Sequence, residues 1–274
     1  MSNIDFSKPL ALKMEDKEYF NIGNIDINNP TGFVMSASLL KSIHTRDLYD
    51  VLVLNNKEYG KELRYTLDLG SAFHCFCLEK EFFDKRYYAD SFENKTDDRI
   101  FIKISDFLWI KKAHEHIKLK YPYILDDPSM NEIVVIGTIR GIPAKCKIDK
   151  IIENNNELII IDLKSIFMNL YSTKFRRNKE GIRWNLIRYI QEVNYDLQGY
   201  FYATLVEEYL KQNKKDKSVT FKLLFADKDE ANVALYSFSQ EMIQHGELKF
   251  NTLFPAIKDF YENGEIWLPK EEIL

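Results

Sequence analysis

The 274-residue chain predicts a mixed α/β (α+β) domain, with a central mixed sheet flanked by helices. Three observations predict it. Ile- and Val-rich runs separated by short turns fill positions 132–163 and recur at 218–225. Segments with helical apolar spacing precede and follow them. Ten Gly and seven Pro are too few for a long flexible linker, so one domain is expected over 1–274.

Residues 1–34 are polar and mixed, with Asn28-Asn29-Pro30-Thr31-Gly32 as a turn cluster. They predict an ordered arm or loop-rich lead-in. Met35–Ile43 begins a helix capped by Ser36 or Ser38. Asp68–Leu78 reads as a buried helix whose Gly70, Ser71 and Ala72 permit close approach. Residues 99–121 have helical spacing. Glu132–Arg140, Ala144–Ile152 and Glu157–Leu163 are three strands, and 192–212 is a helix. Ser218–Phe225 is a further strand. C-terminal helices fill 230–274: a long one from about Glu230 to Leu248 and a short one over Phe254–Asn263.

Composition excludes several classes. With 45% hydrophobic residues the chain can build a core, so it is not disordered. Three cysteines, Cys75, Cys77 and Cys146, do not make a disulfide framework and fit a reducing cytoplasm. No run is apolar enough for a signal peptide or a membrane span. A net charge of -4 argues against nucleic acid, but the charge is unevenly spread. Positions 164–188 hold Lys164, Lys174, Arg176, Arg177, Lys179, Arg183 and Arg188 against the single acid Glu180, so this window carries +6 and the rest -10. Phe167, Tyr171, Phe175 and Trp184 are interleaved, a pattern that suits phosphates and unpaired bases as well as an ordinary basic loop.

The informative segment is 145–164. Asn154-Asn155-Asn156 separates two β-prone runs, and a turn centred between Asn155 and Asn156 sets Asp149 opposite Asp162 and Lys147 opposite Lys164. Period-two alternation then puts all four side chains on one face. Opposed Cβ atoms lie roughly 4.5–5.5 Å apart, where like charges repel. A divalent cation would remove that repulsion, and oxygen ligands suit Mg²⁺ or Mn²⁺. A solvated sheet edge also accommodates these charges, and the segment alone does not decide. A second turn with Gly141-Ile142 as its loop would put Glu132 on the same face, opposite Ile151.

Four motifs in order carry a resemblance. Gly70-Ser-Ala-Phe-His74, Lys147-Ile-Asp149, Asp162-Leu-Lys164 and Gln198-Gly-Tyr-Phe-Tyr202 resemble the G-x-x-x-H helix, first metal-binding acid, (D/E)xK signature and Q-x-x-x-Y helix of the PD-(D/E)xK nuclease superfamily. Within it they are most similar to the RecE-like (exonuclease VIII) phage exonucleases. Met35–Ile43 and Glu262-Asn-Gly-Glu-Ile-Trp267 resemble the family's start and ending. The stretch between Lys164 and Gln198 is longer than the family pattern, with extra residues around Gly181–Glu192.

The resemblance implies a restriction-endonuclease-like core over about 65–225 and a metal-dependent 5′–3′ exonuclease on double-stranded DNA ends, leaving 3′ single strands. One or two Mg²⁺ ions, or Mn²⁺, would be held by Asp149, Asp162, His74, the Leu163 carbonyl and Glu132, with Lys164, Asp149 and Asp162 catalytic. Gln198, Tyr202, Lys174, Arg176, Arg177 and Arg183 would contact DNA, Gln198 and Tyr202 alternatively supporting Lys164. A homo-oligomer, a single-strand annealing recombination partner and the cytoplasm of a prokaryotic or phage-infected cell are expected. No membrane role is. Related enzymes with an iron–sulfur cluster use four Cys, so neither that cluster nor zinc is expected with three. An endonuclease or single-strand nuclease on the same core, or a catalytically silent DNA-binding domain, are the alternatives.

Overall fold

The computed structural model describes residues 4–23, 29–46, 48–53, 61–94, 97–166 and 179–266. In chain order the elements are β1 (Leu10–Lys13), α1 (Asp16–Phe20), α2 (Ala37–Arg46), α3 (Leu48–Val53), α4 (Lys61–Leu78), α5 (Lys80–Arg86), β2 (Tyr87–Asp90), β3 (Ile100–Lys103) and α6 (Ile104–Lys120). They continue with β4 (Asn131–Ile139), β5 (Ile142–Glu153), β6 (Glu157–Ile166), α7 (Lys179–Glu192), α8 (Tyr195–Gln212), β7 (Ser218–Asp227), β8 (Val233–Ser237) and α9 (Gln240–Asn263).

Six strands form one mixed sheet in the order β1-β4-β5-β6-β7-β8. Only β6 and β7 are parallel, joined through α7 and α8; the other neighbours are antiparallel. A sheet covered on both faces needs apolar residues at successive positions, which is why β6 carries Ile159-Ile160-Ile161. Ile160 packs with Phe201 and Leu205 of α8 and Phe250 and Ile257 of α9. Ile161 and Leu163 pack with Phe73 and Phe76 of α4 and Trp109 and Ile110 of α6. In α8 Gly199 allows the close approach to the sheet: a Cβ there would come within 2.5 Å of the Phe238 ring and 2.8 Å of Phe221.

Of the two alternatives for the lead-in, the described part is an ordered arm: β1 pairs with β4 at the sheet edge, and Tyr19 and Ile22 pack on Val134 and Ile136. Lys145 ties this arm down, donating from Nζ to the carbonyls of Tyr19 (2.7 Å) and Ile22 (2.6 Å). Several other elements differ from expectation. Residues 100–103 form β3 rather than the first turn of a helix, because they pair in parallel with β2. The expected helix from Glu230 begins only at Gln240, where the Ser239 side chain accepts from the Met242 N–H. Before it, Val233–Ser237 is drawn into antiparallel pairing with β7. The two C-terminal helices are one: α9 runs through Pro255, anchored on either side by buried Phe250 and by Ile257 and Phe260. The extra residues between Lys164 and Gln198 supply α7.

Candidate metal centre

The β5–β6 turn is closed by Asn154, whose Oδ1 accepts from the N–H groups of Asn156 (3.1 Å) and Glu157 (2.8 Å). The register is the expected one, from Glu153 opposite Leu158 to Lys150 opposite Ile161. The regular ladder then stops. The Leu163 N–H, instead of meeting a strand carbonyl, donates to Asp149 Oδ2 at 2.7 Å. Ile148 and Ile151, three apart, both enter the same core, so side-chain alternation along β5 slips by one between them. The expectation of one shared face for Lys147, Asp149, Asp162 and Lys164 fails for this reason. Asp149 meets α4 and Lys147 meets the N-terminal arm, whereas Asp162 and Lys164 meet α8.

On the first side, His74 of α4 places Nδ1 3.3 Å from Asp149 Oδ2. Glu132 joins them through the neighbouring hairpin. Its turn is Arg140-Gly141, both with positive φ (52° and 87°), as a two-residue hairpin of this hand requires. Ile139 therefore faces Ile142, Asn131 faces Lys150 and Ile133 faces Ile148, which sets Glu132 against Asp149 and not against Ile151 as expected. Glu132 itself has φ 56°, a local kink between two regular pairs. One ligand atom from each of His74, Glu132 and Asp149 lies within 4.8 Å of the others. Burial, then the Asp149 charge, pushes the Glu132 carboxyl up to about 7. Burial opposes protonation of His74, but the charge and hydrogen bond of Asp149 together outweigh it and move the imidazole up. Burial likewise opposes the Asp149 charge, and His74 and Lys164 overcome it, so Asp149 stays low. Lys147 bridges outward, pairing with Glu132 and, at 2.5 Å, with Asp16 of α1.

On the second side, Asp162 is 2% exposed. Its Oδ1 accepts from Gln198 Nε2 at 2.7 Å. Its buried Oδ2 is ion-paired with the Lys164 ammonium at 2.5 Å and makes no further hydrogen bond among the described residues. Burial raises the Asp162 carboxyl. Burial works against the Lys164 charge, yet Asp162 and Asp149 dominate and hold its pKa above the usual lysine range. The Lys164 ammonium also lies 5.4 Å from the Tyr195 ring centre. Tyr202, one turn beyond Gln198, donates its hydroxyl to the Lys147 carbonyl at 3.1 Å.

This donor set fits a hard divalent cation: carboxylate oxygens and one imidazole, with the buried Asp162 carboxylate, ion-paired to Lys164, near enough to feel their charges. His74, Glu132, Asp149 and Asp162 are the residues that could hold it. Leu163 presents its N–H to Asp149. Gln198 and Tyr202 are both buried and spent on internal hydrogen bonds, so the expected DNA contact from them is corrected to support of Asp162 and of the β5 backbone. Lys174, Arg176 and Arg177 lie outside the described residues; Arg183 falls within α7, with its side chain outside them. Cys75, Cys77 and Cys146 are buried free thiols.

Two groups at the site had no sequence signal. Lys41 of α2 donates from Nζ to Gln198 Oε1 at 2.8 Å, and Asp16 reaches Lys147 from the arm. Lys41 lies within Met35–Ile43 but was not singled out there, Asp16 belongs to no motif, and both reach the site by tertiary packing over more than a hundred residues.

A family described as a PDDEXK-like domain of unknown function (DUF3799) matches residues 36–267. No curated protein matches the sequence. Among solved structures, a crystal structure described as a "putative exonuclease" from Eubacterium rectale superposes with a TM-score of 0.59 over 96% of this chain and 91% of that one, at 16% identity.

Proposed function

Because the chain belongs to the PDDEXK-like domain family, we propose that it is a Mg²⁺-dependent nuclease that degrades double-stranded DNA from its ends, 5′ to 3′, leaving 3′ single strands for recombination. The observation that carries this reading is the buried Asp162–Lys164 ion pair close to the His74–Glu132–Asp149 cluster, whose charges act on Asp162. The choice of an exonuclease is supported by the motif resemblance and by the description of the Eubacterium rectale protein.

A divalent cation at these carboxylates supplies an activated water and neutralises charge on the phosphorane-like transition state. Mn²⁺ satisfies the same donors. The two buried aspartates must offset the burial that opposes their charge, which in Asp162 still leaves the carboxyl raised. Asp149 does so through His74 and the Leu163 N–H, and Asp162 through Gln198 and Lys164. Lys164 is held protonated by both aspartates, so it acts as a fixed cation that orients the phosphate and offsets its charge. The basic window, with Lys174, Arg176, Arg177 and Arg183, would follow the DNA backbone. Charge reversal at Arg176 and Arg177 should weaken binding and reduce its salt dependence.

Linear duplex DNA, labelled at either end, tests the reading with Mg²⁺ or with EDTA, alongside closed circles. Loss of label from 5′ ends with Mg²⁺ alone, and intact circles, are expected. Nicked or linearised circles would make the protein an endonuclease. No metal-dependent cleavage of any DNA would refute the enzyme.

A further inference from the structure

A buried glutamine can turn its amide either way, and only its neighbours decide which end faces which partner. Gln198 sits between two groups of opposite character. On one side Lys41 Nζ, which can only donate, lies 2.8 Å from Oε1. On the other, Asp162 Oδ1, which can only accept when ionised, lies 2.7 Å from Nε2. The reversed amide would set NH₂ against an ammonium and a carbonyl against a carboxylate, so both contacts would become repulsive.

We propose that Lys41 is a positioning residue of the metal centre, whose donor-only ammonium locks the Gln198 amide so that Nε2 is committed to Asp162 Oδ1 and the Asp162 carboxylate keeps Oδ2 turned to Lys164 and the candidate cation site. The placement of Lys41 suits this task. Its helix α2 is seated by buried Leu39, Leu40 and Ile43 and packs against α8. The ammonium also lies 5.2 Å from the Tyr195 ring centre, so Tyr195 is shared by Lys41 and Lys164. Burial, then the Lys164 charge, brings the Lys41 pKa down to about 8 against the opposing pull of Asp162, which still leaves it protonated at neutral pH. The chain Lys41–Gln198–Asp162 thus fixes one candidate metal ligand through a second and a third shell of hydrogen bonds, the kind of support that sets the orientation of ligating carboxylates.

This inference rests on the metal-dependent nuclease reading, and its test separates the two. Mn²⁺ affinity is measured by calorimetry on wild type, Lys41→Met, Lys41→Arg, Gln198→Leu and the Lys41→Met/Gln198→Leu double variant, and cleavage kinetics are followed on the same proteins. Lys41→Met keeps the stem in place and removes only the charge. It should weaken Mn²⁺ binding about tenfold and lower kcat to a similar degree, with KM for DNA unchanged. Lys41→Arg, also donor-only, should recover most of the loss. Gln198→Leu should match Lys41→Met, and the double variant should be no worse than either, because both break the same chain. Wild-type Mn²⁺ affinity in Lys41→Met, or losses that multiply in the double variant, would overturn the role of Lys41. A raised KM in Lys41→Met with unchanged Mn²⁺ affinity would make Lys41 a DNA contact instead. Wild-type protein that binds no Mn²⁺ would remove the metal centre and this inference together.

Discussion

The two sides of the candidate metal centre are built differently. Asp162 and Lys164 lie under α8, where the lysine is held charged while burial raises the aspartate against its partners Gln198 and Lys164. His74, Glu132 and Asp149 cluster together, and Glu132 opens onto a cleft of about 430 Å³ that Asp16 and Lys147 also line. Their protonation is not settled. Glu132 is pushed to about 7 and His74 upward, both because the Asp149 charge sits beside them in a poorly solvated place. One side therefore offers a fixed charge pattern, and the other a set of protons that a cation must displace.

The largest expected effects fall on the fixed side. Asp162→Asn replaces a charged carboxylate oxygen that a cation would use, and Lys164→Met removes the ammonium paired with that oxygen. Each should slow Mg²⁺-dependent cleavage roughly 10³-fold, about 4 kcal/mol of transition-state stabilisation. Steady-state cleavage of linear duplex DNA measures this. A Lys164→Met protein retaining a tenth of wild-type activity would show that the two sides do not differ in this way.

On the titrating side the effects should be smaller and graded. His74→Ala should weaken Mn²⁺ binding about tenfold or more while leaving Asp162 and its partners in place. The pH dependence follows from the direction of the shifts. Glu132 is raised to about 7, so below pH 7 its folded form holds a proton that the cation must expel. Mn²⁺ affinity should then fall by about tenfold per pH unit below 7, and more steeply where His74 is also protonated. The same sign appears in the metal-free fold. An unfolded chain loses the Glu132 proton near 4.5 and the folded one near 7, so this group costs stability increasingly as pH rises across that interval. Calorimetry in two buffers of different ionisation enthalpy reads the displaced protons directly. Affinity that is flat between pH 5.5 and 7.5 would contradict the contrast.

The difference between the sides also explains what could be read from the sequence. The β5–β6 register was legible because an Asn-rich turn and two isoleucine-rich runs leave little choice of pairing, and Asp162 and Lys164 follow by alternation in a strand that stays regular. The other side was misread where regularity fails. The slip between Ile148 and Ile151 and the kink at Glu132 are responses to the tertiary environment, not to local propensity, and no turn signal announces them. The Arg140-Gly141 turn displaced the Glu132 pairing by two residues, which kept its face but changed its partner to Asp149. The helix that carries Lys41 was legible but the lysine was not, and neither was Asp16, since a lone lysine in a helix and a lone aspartate in an arm look like any solvated charge. The five-residue β8 was hidden because Ala, Leu and Glu around it favour a helix until β7 offers a partner.

The smallest expected effect tests how far the titrating side extends into the arm. Lys147 divides its charge between Glu132, inside the site, and Asp16, which is half exposed on α1. Burial opposes the Lys147 charge and Glu132 overcomes that, so the ammonium remains protonated and must rest on one carboxylate or the other. With Asp16→Asn its hold shifts wholly to Glu132, where it competes with a cation for the same oxygens. Because Asp16 is solvent-screened, the loss should be modest: Mn²⁺ affinity lower by about two- to fivefold at low ionic strength. Screening sets the control. At about 1 M salt, where the Debye length is near 3 Å, wild type and Asp16→Asn should converge, whereas His74→Ala, which removes a donor atom, should stay weak. A persistent Asp16 effect at high salt would mean that the arm shapes the site by packing rather than by charge.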